Sequence, residues 1–121
     1  MDNLEWQRSA IKMQSLTDLY SAKCQDLKIE KDANQFEKFC THIISKAKNR
    51  CLNLSNCYFK EHSASILARQ FMMMNHAISS YDLSFNELGD AGVAKISEAL
   101  QRTSHIVYLN LDMNRIQWEG V

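Results

Sequence analysis

Residues 81–100 read YDLSFNELGDAGVAKISEAL. Over Tyr81-Asp82-Leu83-Ser84 apolar and polar residues alternate, the period of a strand with one buried face. Alternation points Tyr81, Leu83 and then Asn86 into a core, and turns Asp82 and Ser84 outward. Asn86 sits where the chain leaves the strand, and its side-chain amide can satisfy backbone groups that the turn leaves unpaired. Gly89 and Gly92 allow a tight entry into the next element. Val93, Ile96 and Leu100 then fall three and four apart, as on one face of a helix. The stretch predicts a strand, a turn and a helix in close succession.

Similar stretches lie on either side. CLNLSNCYF (51–59) and IVYLNLDMNRI (106–116) carry the same order of apolar positions around an Asn or Cys. The aligned residues are Leu52, Leu54, Cys57 and Phe59; Tyr81, Leu83, Asn86 and Leu88; and Leu109, Leu111, Asn114 and Ile116. Cys57 takes the Asn slot as a small buried thiol with a weak donor. From Cys57 to Asn86 is 29 residues and from Asn86 to Asn114 is 28, so the spacing is nearly constant. After the first stretch, Ala64, Leu67 and Phe71 stand where the second has Val93, Ile96 and Leu100. One such unit cannot bury its own apolar face, so neighbours must stack.

This pattern resembles a leucine-rich repeat, L-x-x-L-x-L-x-x-N/C-x-L. The long period, with GDAGVAKISEAL after the Asn, is similar to the ribonuclease-inhibitor-like subclass. The resemblance implies an α/β fold: a short solenoid with parallel strands on a concave face and helices on a convex one. It covers residues 49–121, about two and a half repeats. The last residues align with the start of a third helix, so the repeats are expected to be truncated there, with that edge covered by further repeats or by a partner.

Residues 1–48 do not repeat. Trp6, Met13, Leu16, Tyr20, Cys24 and Leu27 make one apolar face on a helix of roughly 25 residues. Asp32, with Gln35 three residues on, is a variant capping box. It opens a second amphipathic helix through Phe36, Phe39, Cys40, Ile43 and Ala47. The pair reads as an N-terminal helical cap over the first strand; the alternative is that the Trp6–Leu27 face pairs with another helix. Such lead-ins are similar to those of eukaryotic cytoskeletal, centrosomal and ciliary leucine-rich-repeat proteins. That resemblance implies a cytoplasmic chain associated with the cytoskeleton or a cilium.

Composition limits the remaining classes. With 121 residues the chain holds one domain, and 45% apolar residues suit a packed core. Lys plus Arg equals Asp plus Glu at 14 each, which leaves no electrostatic footprint for nucleic acid or an anionic membrane. No apolar run is long enough to span a membrane and no signal-peptide core is visible, so the expectation is a soluble intracellular chain with reduced cysteines.

Chemistry is hard to place. Cys24, Cys40, Cys51 and Cys57 form no C-x-x-C pair and read as core residues. His42, His62, His76 and His105 are scattered, without metal-ligand spacing. No nucleophile elbow, phosphate loop or dinucleotide fingerprint occurs, and neither a metal nor a cofactor is expected. Asn53-Leu54-Ser55 matches the glycosylation triplet but falls inside a predicted strand. Met72, Met73 and Met74 read as a helix end with one Met buried. What remains is the outward strand face. Asp82, Ser84, Tyr108, Asn110 and Asp112, with Phe85 and Met113 at the strand ends, make an anchor-and-rim patch. The reading is a non-enzymatic module that binds a protein partner. The alternative that the resemblance offers is a regulator of an enzyme, either a small-GTPase activator or a nuclease inhibitor.

Overall fold

A computed structural model describes residues 3–115. Helices α1 (Asn3–Ala10), α2 (Met13–Leu27) and α3 (Ala33–Ser45) lead into strands β1 (Ala47–Lys48) and β2 (Cys51–Asn53). Helix α4 (Glu61–Ile66) runs directly into a π-helix (Leu67–Met73). Strand β3 (Ser80–Asp82), helix α5 (Gly89–Gln101) and strand β4 (Tyr108–Asn110) follow within the described residues. The sheet order is β1-β2-β3-β4. β1 pairs antiparallel with β2, whereas β2, β3 and β4 are parallel.

The register follows the aligned positions of the sequence. Leu52 faces Tyr81, and Tyr81 faces Leu109. Backbone bonding continues past the strands: Leu54 N–H reaches Asp82 O at 2.8 Å and Asn56 N–H reaches Ser84 O at 3.1 Å. The same step recurs one unit on, from Leu83 to Asn110 O at 2.8 Å and from Phe85 to Asp112 O at 3.0 Å. Leu52, Leu54, Phe59, Tyr81, Leu83 and Leu88 are buried with Ala64, Leu67 and Phe71 in one core. Ile116 lies outside the described residues.

The buried asparagines connect neighbouring units. Asn86 Oδ1 accepts from Cys57 N–H at 2.9 Å and Phe59 N–H at 3.1 Å. Its Nδ2 donates back to Leu54 O at 2.9 Å and to its own turn at Leu83 O, also at 2.9 Å. Asn114 repeats this one unit on, donating to Leu83 O and Leu111 O at 2.9 Å each. At the slot just before, Asn56, Phe85 and Met113 all take left-handed φ, at 56°, 56° and 59°.

Several sequence expectations are corrected. The single helix over Trp6–Leu27 is two helices, broken at Ile11-Lys12. Asn75 Nδ2 donates to Ala10 O at 2.7 Å, which satisfies the end of α1 from 65 residues away, so no local residue marks the break. Ile11 is buried at the corner, and Met13, expected on the apolar face, is 61% exposed. Ala47 does not extend α3; it is buried in β1, joined to β2 by Asn49-Arg50 with φ of 52° and 63°. Two consecutive left-handed residues give the twist that a tight hairpin needs. Of the four cysteines Cys51 is exposed, while the other three are buried thiols.

Helix α5 is also corrected. Leu100 was expected to face the strands but is 39% exposed, and Ala99 is buried instead. The buried stripe is Gly92, Ile96 and Ala99, because α5 lies close on α4. A Cβ at Gly92 would stand 3.0 Å from Leu88 Cβ and 3.3 Å from Ala64 Cβ. Gly92 therefore serves close helix packing rather than the turn. Gly89 alone carries the turn, at φ 68°.

α2 and α3 form a hairpin around Tyr20. Its ring lies 5.4 Å from Phe36 and 5.5 Å from Phe39, and its hydroxyl accepts from Asp32 N–H at 3.0 Å. Asp32 Oδ2 accepts from Gln35 N–H at 2.8 Å, which caps α3. α2 reaches the repeats through Asp26, whose side chain is fully buried. Its two oxygens accept from Lys60 N–H and His62 N–H at 2.8 Å each and from Ser63 N–H at 3.1 Å. Asp26 thus caps α4 from a different helix, placing a carboxylate where the helix dipole favours one. Burial pushes its carboxyl up, but these hydrogen bonds outweigh that and hold it below its ordinary value.

Candidate interaction surface

The outward face of the parallel sheet is built by alternation. Each unit places an Asx residue at the strand end: Asn53, Asp82 and Asn110. Each of these side chains turns onto its own backbone two residues on. Asn53 Oδ1 accepts from Ser55 N–H at 3.0 Å, Asp82 Oδ1 from Ser84 N–H at 2.9 Å, and Asn110 Oδ1 from Asp112 N–H at 2.9 Å. Ser84 also donates its hydroxyl to Asp82 Oδ1 at 2.5 Å. Ser84 was expected to face out and is only 4% exposed, because this bond and the neighbouring units cover it. Asp82, Ser84 and Asn110 are thereby engaged in holding the turns.

The remaining candidates separate in space. Phe85, Asp112 and Met113 share a groove of about 640 Å³ with Tyr58, Glu87 and Arg115. It opens where the parallel strands end. Tyr108 starts β4 and does not line it; it is exposed on the sheet face beside Val107. Phe85 is 59% and Met113 68% exposed. Left-handed φ is uncommon for bulky residues and costs about 1 kcal/mol or more each. Here it directs an aromatic and a thioether into solvent instead of into the core.

Charge frames the groove. Glu87 pairs with Arg115 at 3.2 Å and with Lys60 at 3.6 Å, all at the surface. Such pairs contribute little stability, so their arrangement matters more for what approaches. Sequence reasoning overlooked Tyr58, Glu87 and Arg115. Their signal was present, since all three occupy the slot after the Asn or Cys of their unit. Among the described residues no group of three or more His, Cys, Asp or Glu side chains could hold a metal ion. No helix among them is long and apolar enough to cross a membrane.

A leucine-rich repeat family model matches residues 81–97. No curated protein and no solved structure matches the chain. The match runs from within β3 through the turn to residue 97 of α5, and it supports a leucine-rich repeat protein, a class whose domains are in general protein-interaction modules.

Proposed function

We propose that the chain is a non-enzymatic protein–protein interaction module whose partner docks where the parallel strands end. Phe85 and Met113 are the anchors, Tyr58 extends the apolar floor, and Asp112, Glu87, Lys60 and Arg115 form the charged rim. The observation that carries this reading is the pair of large apolar side chains held outward on left-handed backbone in one groove. An exposed aromatic in a pocket with a polar rim is the usual composition of a binding hot spot.

On this reading residues 49–121 are ribonuclease-inhibitor-like leucine-rich repeats in a short solenoid, and residues 1–48 are its helical cap. The near-constant spacing, the parallel register and the full helix between β3 and β4 support the subclass. β1 beside β2, and Asp26 capping α4, support the capping role. On its far side β4 is free among the described residues, with Leu109 and Leu111 only half-buried, and this edge receives further repeats or a partner. A cytoskeletal or ciliary location rests on the resemblance of the lead-in alone.

Affinity capture from cell extract tests the docking site. The parent chain is compared with Phe85→Ala/Met113→Ala and with Tyr108→Ala/Asp112→Ala, each shown to melt as the parent does. Removing hot-spot anchors should cost tenfold or more in affinity, on the order of 2 kcal/mol. A partner held by the parent and lost by the first variant supports the reading. Equal retention by all three chains contradicts it.

A further inference from the structure

The groove at the strand ends carries charge as well as an apolar floor. Its charged lining residues are Glu87, Asp112 and Arg115, two acidic and one basic, in a chain of zero net charge. Glu87 is matched on both oxygens, Oε1 by Arg115 at 3.2 Å and Oε2 by Lys60 at 3.6 Å. Asp112 differs. Its carboxylate forms no hydrogen bond or ion pair with the described residues. Its backbone is nevertheless held. The N–H donates to Asn110 Oδ1 at 2.9 Å, and the carbonyl accepts from Phe85 N–H at 3.0 Å and Asn114 Nδ2 at 3.2 Å.

The repeat marks Asp112 as a departure. Two residues after the strand-end Asx, the first unit has Ser55 and the second Ser84. Each serine closes on its own Asx: Ser55 Oγ donates to Asn53 Oδ1 at 2.8 Å and Ser84 Oγ to Asp82 Oδ1 at 2.5 Å. An ionised carboxylate has no proton to donate, so Asp112 cannot close on Asn110 Oδ1 in this way, and it is exposed. The third unit thus gives up an internal bond and presents a fixed anion instead. That anion adjoins Phe85 through the backbone bond between the two residues, and Tyr58 and Met113 share the groove. A ring face carries partial negative charge, so an aromatic beside a free carboxylate favours a cation.

Resting on the reading of this groove as the docking site, we propose that the segment it receives carries an arginine between apolar residues. The guanidinium pairs with Asp112 and packs over Phe85, and the flanking apolar side chains lie on Met113 and Tyr58. Arginine fits better than lysine, because its planar donors match a carboxylate in pairs and its face stacks on a ring, whereas an ammonium is a strongly hydrated point charge. Arg115 and Lys60 at the rim disfavour further cations close by, so a run of basic residues is not accommodated.

Chemical-shift titration of the whole chain with three capped pentapeptides tests the assignment: Ala-Leu-Arg-Leu-Ala, the same peptide with citrulline for arginine, and the same with lysine. Citrulline keeps the shape of arginine and removes its charge. Saturable shifts at the Phe85 and Asp112 amides and the Met113 methyl are expected, with the arginine peptide tighter than the citrulline one by about tenfold and tighter than the lysine one by about threefold. Asp112→Asn should remove the advantage of arginine over citrulline and leave the melting temperature unchanged, because the carboxylate has no partner among the described residues. Raising salt from about 0.1 M to about 1 M shortens the screening length from about 10 Å to about 3 Å, and should weaken the arginine peptide more than the citrulline one. Equal binding of the arginine and citrulline peptides in the groove overturns the proposal and leaves the docking reading standing. So does an advantage for arginine that survives Asp112→Asn. Shifts that do not saturate, or that fall outside the groove, also overturn it; the docking reading is then decided by Phe85→Ala/Met113→Ala in the capture experiment.

Discussion

Asn86 carries more of the fold than any surface contact does. Its amide makes five hydrogen bonds to backbone groups of two units. Asn86→Ala leaves the buried Cys57 and Phe59 amides without acceptors, and should cost about 2–4 kcal/mol in urea denaturation. Asn114→Ala should cost less, because among the described residues its Oδ1 accepts one long bond, 3.4 Å from Leu88 N. Tyr81 shows the opposite imbalance. It fills a Leu slot, its hydroxyl is buried without a partner among the described residues, and burial pushes its phenol well above the ordinary range. Tyr81→Phe removes that unpaired group and keeps the ring, so it should raise stability by about 1 kcal/mol. A lower melting temperature would show that the hydroxyl has a partner. The Asn and Leu slots were legible in the sequence because they recur. The outward Asx turns were not, because Asp82 and Ser84 look like any polar pair on a strand.

At the scale of elements, the connections that matter are long-range and left weak sequence signals. Asp26 lies in the last turn of α2, and nothing near it indicates that it caps α4, 34 to 37 residues away. Its carboxyl is held below the ordinary value of 3.8, so the folded state favours the ionised form. That contribution is present above the ordinary value and is lost as pH falls through the lower folded value. Asp26→Ala should therefore destabilise the chain by at least about 2 kcal/mol near neutral pH. It should also flatten the acid limb of the stability profile, and an unchanged limb in pH-dependent denaturation would exclude this capping role. Helix α5 shows why its period was half legible. Ile96 recurs on the face that meets the core, whereas Leu100 follows the same spacing without a neighbour to cover it. Ile96→Ala should cost about 2–5 kcal/mol and Leu100→Ala within about 0.5 kcal/mol. The α1–α2 break could not be read locally, since it is fixed by Asn75 from another unit.

Across the whole molecule, stability accumulates between neighbours. β2, β3 and β4 pair in one register, α4 meets α5 through Gly92, and Asp26 ties the helical lead-in to the first unit. None of these pieces closes a core alone, so loss of one interface should be felt over the whole chain. The strand-end groove depends on the same geometry, because Tyr58, Phe85 and Met113 come together only if the units stack. Native-state hydrogen exchange, read amide by amide in the parent and in Asn86→Ala under conditions where both are folded, tests that stacking most directly. The account predicts that the Cys57 and Phe59 amides exchange slowly in the parent and lose most of their protection in the variant, although they lie 29 and 27 residues from the substitution. Equal protection in both chains would contradict the stacked register and the functional readings built on it.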